Sequence, residues 1–195
     1  MLDLDVQPLP DRRPGVVICA YDAADDLWSP YDEMGVDYWN PPGARSVPVD
    51  GGETEALADT LVAHVRGRDC DALLLIGRTR KGSDFRVQMR VENRGLNTHK
   101  RLSVVGPGVA RSTAPVSEMV RALTDLGLPA EASSEAEDDA GSYLLYRLLA
   151  ALPDDPDAPA VGLLRVPMDA DDRDVRKAIQ AVASSMAMRL SHRPR

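Results

Sequence analysis

The residue of this chain with the most to say about chemistry is a cation. Arg165 is the fourth residue of "GLLRVP" (162–167), where an apolar run meets a proline turn. A guanidinium keeps its proton at any accessible pH, so it can hold an anion through paired N–H donors but cannot act as a general base. The other chemistry-bearing residues lie where strands should end or helices begin. Tyr21 and Asp22 follow "VVICA", Gln88 lies in "DFRVQMRVEN", and Ser142 lies in "DDAGSYLLYRLL". The "GRTRKG" loop (77–82) carries Arg78, Arg80 and Lys81 together, which suits either an anion or plain solvation. A nucleophilic role for Ser142, Ser133 or Ser134 would need a base, and the nearby acids are Asp138 and Asp139.

Several chemistries are excluded. The chain has no CxxC pair, HExxH, P-loop or GxSxG, and His64, His99 and His192 show no metal-ligand spacing, so neither metal nor cofactor is expected. Cys19 and Cys70 sit in or beside apolar runs and read as two buried thiols rather than a disulfide. The net charge of -8 argues against a nucleic-acid partner, since phosphate backbones call for clustered Lys and Arg. No apolar run approaches the ~20 residues that span a bilayer. The first residues, "MLDLDVQPLPDRRPG", are acidic and proline-rich, unlike a signal peptide. The expectation is a cytoplasmic protein with one domain over 1–195, of which 1–14 is a loosely packed segment.

The elements that must position these residues alternate in type. "GVVICAY" (15–21) and "DALLLIG" (71–77) are apolar throughout, as strands buried on both faces are. "ARSVPVD" (44–50) is a strand that Pro48 consigns to an edge. "DFRVQMRVEN" (84–93) alternates Phe85, Val87, Met89 and Val91 against Arg86, Gln88, Arg90 and Glu92, which predicts one half-exposed strand. Helical spacing of Leu57, Leu61 and Val65 marks one helix, and Val116, Met119, Val120 and Leu123 mark another that Gly127 stops. "EASSEAEDD" (131–139) reads as an acidic surface turn. A helix over 143–153, the "VGLLRVP" strand and a helix carrying Val175, Ile179, Val182, Met186 and Leu190 complete the chain. This order predicts an α/β fold, a three-layer α/β/α sandwich with a mostly parallel central sheet. In such sheets ligands bind at the carboxyl ends of the strands, where Tyr21, Asp22, Gly77 and Arg165 all fall.

In order, these segments resemble the pyroglutamyl peptidases, cysteine peptidases that remove an N-terminal pyroglutamyl residue. "VVICAYDAADD" stands where that family has a strand and a Gly-Phe-Glu-Pro-Phe-Gly loop, and "SVPVD" where it has Leu-Pro-Val. "CDALLLIGRTRKGSDFRVQMRVEN" is similar to its strand, glycine loop and strand ending in Ala-x-Asn. "GPGVARSTAPVSEMVRALTDLGLPA" resembles its Gly-Pro segment, helix and Gly-(Ile/Leu)-Pro-Ala. "DDAGSYLLYRLL" resembles its nucleophile helix, and "VGLLRVP" its Gly-Phe-(Ile/Leu)-His-(Val/Ile)-Pro strand. The resemblance implies a pyroglutamyl-peptidase-like fold, and self-association of the kind family members show.

The family's Cys-His-Glu triad is not carried over. Its histidine falls on Arg165 and its glutamate on Gln88; its cysteine falls on Leu145 or, in an ungapped register, on Gly141. Residues 129–153 contain no cysteine in any register. Of the two phenylalanines that sandwich the lactam ring, Tyr21 keeps the first, whereas Ala24 replaces the second and Asp25 and Asp26 replace glycines. The resemblance therefore implies a catalytically degenerate protein, a pseudoenzyme serving as a binding, scaffolding or regulatory subunit. The alternatives are a divergent enzyme that reuses the cleft for an anionic small molecule or peptide, and residual peptidase activity through a substitute nucleophile. Arg165 separates the first two. Either it waits for an anionic ligand, with Tyr21, Asp22, Gln88 and Ser142 around it, or it pairs with Asp22 or an acid from 135–139 and plugs the cleft. The expected partners are a second copy, another protein, or a small anion or peptide.

Overall fold

The computed structural model describes residues 11–22, 27–28, 39–98 and 100–191. His99, His192, Ala24, Asp25, Asp26 and most of the 1–14 segment lie outside them. The central sheet has six strands in the order β2-β1-β3-β8-β4-β7. These are β1 (Gly15–Ala20), β2 (Arg45–Pro48), β3 (Ala72–Thr79), β4 (Phe85–Gln88), β7 (Ala130–Ser133) and β8 (Ala160–Pro167). All neighbours are parallel except β4 and β8. Two short strands, β5 (Arg90–Glu92) and β6 (Val109–Arg111), form a separate antiparallel ribbon. The predicted three-layer α/β/α architecture is the observed one, and β2, with Pro48, is the predicted edge.

Strand parity decides which layer each side chain enters. Val17, Cys19, Leu73, Leu75, Val161 and Leu163 pack under α1 (Thr54–Gly67) and α3 (Ala140–Ala151), against Leu61, Leu144 and Leu148. Val16, Ile18, Leu74, Ile76, Leu164 and Val166 pack under α2 (Val116–Asp125) and α4 (Asp172–Ser191), against Met119, Leu123, Ile179 and Met186. Cys19 and Cys70 are free and buried, and burial pushes both thiols up to about 12, so neither is a thiolate near neutrality.

Two sequence expectations are corrected. The half-exposed strand over 84–93 is instead two strands that separate at Met89, which is 43% exposed rather than inward. β4 is inserted between β8 and β7, so both its faces are covered and Arg86 and Gln88 are 3% and 1% exposed. The acidic turn over 131–139 is part strand, since residues 130–133 form β7. The rest of it turns inward: the Glu137 side chain is only 8% exposed. The helix expected over 143–153 starts three residues earlier because Asp139 caps it, its carboxylate accepting from the Ser142 N–H at 2.8 Å.

Candidate functional site: a closed charge cluster

The parity that builds the core also builds this site. Tyr21 continues the Val17–Cys19 face of β1, Gly77 and Thr79 continue Leu73–Leu75, and Arg165 continues Val161–Leu163. On β4, Phe85 and Val87 belong to the opposite layer, which leaves Arg86 and Gln88 on the same side as Arg165. All these side chains therefore enter the layer where α3 begins.

Arg165 is fully buried. Its Nε donates to Gln88 Oε1 at 2.9 Å, and its terminal nitrogens donate to Asp139 Oδ2 at 2.5 Å and Oδ1 at 3.2 Å. A further bond runs to Ser142 Oγ at 2.8 Å. Gln88 uses its amide nitrogen on the carbonyls of Arg90 and Glu135, both at 2.8 Å. Beside Arg165 on the neighbouring strand stands Arg86, whose Nη2 donates to Glu137 Oε1 at 2.6 Å and to Thr79 Oγ1 at 2.7 Å. Glu137 also lies 3.3 Å from Arg165 Nε. Glu135 Oε2 also lies 3.4 Å from Arg86 Nη1, so two buried guanidinium groups are met by three carboxylates from one short connection, the arrangement that buried charges require.

The electrostatics follow from this pairing. Burial works against the Arg165 charge, but the hydrogen bonds and charge of Asp139 outweigh it and raise the guanidinium above its ordinary value. Burial likewise pushes the Asp139 carboxyl up, and the Arg165 bonds, with the Ser142 N–H, hold it below the usual carboxylate range. Tyr21 is pushed well up, first by burial and then by the Asp139 charge. Its phenol therefore stays protonated and supplies no anion near neutrality.

Tyr21 also closes the cleft sterically. A Cβ added to Gly77 would stand 1.9 Å from its ring, and one added to Gly141 would stand 2.5 Å from its hydroxyl. At Gly141, one of the two registers for the family's cysteine, there is thus no room for any side chain. Leu145, the other register, is fully buried in the apolar layer under α1 and α3. The void beside Ser142, Glu137 and Asp139 measures about 10 Å³, at or below what one water needs.

Of the sequence-predicted residues, the structure brings together Tyr21, Gln88, Ser142 and Arg165. Asp22 is exposed, and the carboxylates of Asp139 and Glu137 meet Arg165. The "GRTRKG" cations do not converge on one point. Arg78 lies on β3, bonded to the carbonyls of Pro167 and Met168; Lys81 pairs with Glu135 at 2.7 Å; Arg80 is exposed. Sequence reasoning missed Thr79 and Arg86 as members, and the signal for Arg86 was its parity with Gln88. Among the described residues no group of three His, Cys, Asp or Glu could hold a metal ion, and no helix is long and apolar enough to cross a membrane.

No protein-family model matches this chain, and neither does any curated protein. Solved structures do. The fold is that of the pyroglutamyl peptidases, as the overall superposition shows. With the pyroglutamyl peptidase I from Bacillus amyloliquefaciens the TM-score is 0.70 at 15% identity, over 90% of this chain and 95% of that one. With the pyrrolidone carboxyl peptidase from Thermococcus litoralis it is 0.71 at 15% identity, over 91% and 95%. With the enzyme of the same name from Thermus thermophilus it is 0.62 at 16% identity, over 89% and 98%.

Proposed function

We propose that this chain is a non-catalytic protein built on the pyroglutamyl peptidase fold, working in the cytoplasm as a binding, scaffolding or regulatory subunit. The observation that carries this reading is Arg165, fully buried and bonded to Asp139, Ser142 and Gln88 where the resemblance would put a catalytic histidine. Thiol or hydroxyl attack on an amide needs a base that accepts a proton near neutrality, and none of the groups touching Ser142 is free to do so. Ser142 Oγ accepts from a guanidinium, and Asp139 is committed to that same guanidinium and to the helix cap. The test is hydrolysis of a fluorogenic pyroglutamyl amide at high protein concentration. No release above buffer is expected; release that scales with protein and vanishes in Ser142→Ala would overturn the reading.

A subunit role also needs a surface. Val104 and Val105, adjacent in the chain, are 88% and 97% exposed. They follow directly on Leu102 and Ser103, which line a groove of about 430 Å³ between α1 and α3 with Val62 and Ala150. Asp59, Arg66 and Arg147 also line the groove, so an apolar knob stands beside a groove of mixed lining, an arrangement that suits a second copy because a two-fold axis seats each knob in the other's groove.

A further inference from the structure

We propose that Thr79, Arg86 and Arg165 form a binding site for a small oxyanion, a carboxylate or phosphate, which the Glu137 side chain occupies in this conformation. Arg86 and Arg165 stand directly opposite each other on the antiparallel pair β4–β8, and neither is more than 3% exposed. Two like charges side by side in a dry interior demand an anion between them. Glu137 supplies it, accepting from Arg86 Nη2 at 2.6 Å and from Thr79 Oγ1 at 3.0 Å, and lying 3.3 Å from Arg165 Nε.

The fit is incomplete. Glu137 meets Arg86 through Nη2 and the exposed Glu135 lies 3.4 Å from Nη1, while the buried Nε of the same guanidinium has no hydrogen-bond partner. Guanidinium groups bind oxyanions best through two parallel N–H bonds, and a carboxylate tethered at position 137 does not provide the second. An untethered oxyanion could lie across both nitrogens. The hydroxyl of Tyr21, on the same face of the sheet, is another buried polar group without a partner.

The connection that delivers Glu137 is suited to yielding it. Residues 134–138 lie outside helix and strand, held by side-chain donors such as Gln88 and Lys81 on the carbonyls of Glu135 and Ala136. Asp139, by contrast, caps α3 and pairs with Arg165 at two points, so it is the anchor. The void of about 10 Å³ alongside leaves no space for a ligand next to Glu137. Binding of the anion and departure of Glu137 are therefore one event, and the tethered carboxylate competes with any ligand.

The site is the one read above as non-catalytic, and anion binding and amide turnover are separate readouts, so either can fail alone. Inorganic phosphate and acetate, each titrated against chloride at constant ionic strength, are followed by NMR on wild type and Glu137→Gln. Glu137→Gln should bind at least one of the two about tenfold or more tighter than wild type, and Arg86→Met in the same background should lose it. If Glu137→Gln is unfolded alone, that anion should restore its far-UV circular dichroism, because a ligand specific for the folded state stabilises it. Equal affinity in wild type and Glu137→Gln, or a variant that neither anion binds nor refolds at millimolar concentration, overturns the proposal.

Discussion

Replacing Arg165 with methionine tests whether the closed cluster holds the fold together. The stem keeps its length and apolar contacts, and the charge goes. Asp139 then loses both of its bonds from Arg165, at 2.5 and 3.2 Å, Ser142 Oγ loses its donor, and Glu137 keeps only Arg86 and Thr79. Asp139 is 30% exposed on its side chain, so water can solvate it in part; Glu137, at 8%, has no such relief. Breaking a buried pair by removing one partner costs about 3–5 kcal/mol. That is a large part of the roughly 5–15 kcal/mol that holds a domain folded. At this chain length it corresponds to a fall in Tm of about 6–20 °C. Urea unfolding followed by circular dichroism, with m unchanged, measures it directly. An Asp139→Ser partner variant, which keeps a cap on α3, closes a double-mutant cycle with a coupling of about 1–3 kcal/mol. A loss below about 0.5 kcal/mol for Arg165→Met, the range of ordinary surface substitutions, would refute the argument that the guanidinium is buried and paired.

Three further outcomes follow from the same geometry. Because the Asp139 carboxyl is held below its ordinary value of 3.8, its contribution to stability is present above that pH and is lost as pH falls through the lower folded value. Stability should accordingly fall less steeply in Asp139→Asn than in wild type as pH is lowered below that ordinary value, as urea melts over an acid pH series would show. Gly77→Ala should cost about 1–3 kcal/mol or more, because its Cβ meets the Tyr21 ring; the cost should largely disappear in a Tyr21→Ala background, as urea melts would show. Val104→Asp with Val105→Asp should leave stability within about 0.5 kcal/mol yet reduce the solution mass seen by light scattering. An unchanged solution mass would remove that face as a contact between copies.

How far the fold could be read from sequence depended on how local the cause was. Continuous apolar runs in 15–21 and 71–77 reported burial on both faces, and the leucine and valine spacing of α1 reported its buried stripe, because each pattern is set within a few residues. The 84–93 run failed for the opposite reason. Its alternation is a true strand pattern, but the sheet inserts β4 between β8 and β7 and hands β5 to β6. The residues that looked solvated, Arg86 and Gln88, were therefore covered, and Met89 was turned out.

The chemistry of Arg165 is a property of its residue type. A guanidinium cannot release a proton to act as a base in any fold, so the sequence alone excluded a histidine-like role at that position. Which groups would neutralise it was not local. Asp22 lies nearer to the expected strand end, and the acids of 135–139 looked like a solvated turn; only the crossing of β8 beside β4 and under the N-terminus of α3 brought Gln88, Glu137, Asp139 and Ser142 within bonding distance. Charge type is written in one residue, whereas the partners of a buried charge are chosen by strand order and parity, which depend on contacts between segments far apart in the chain.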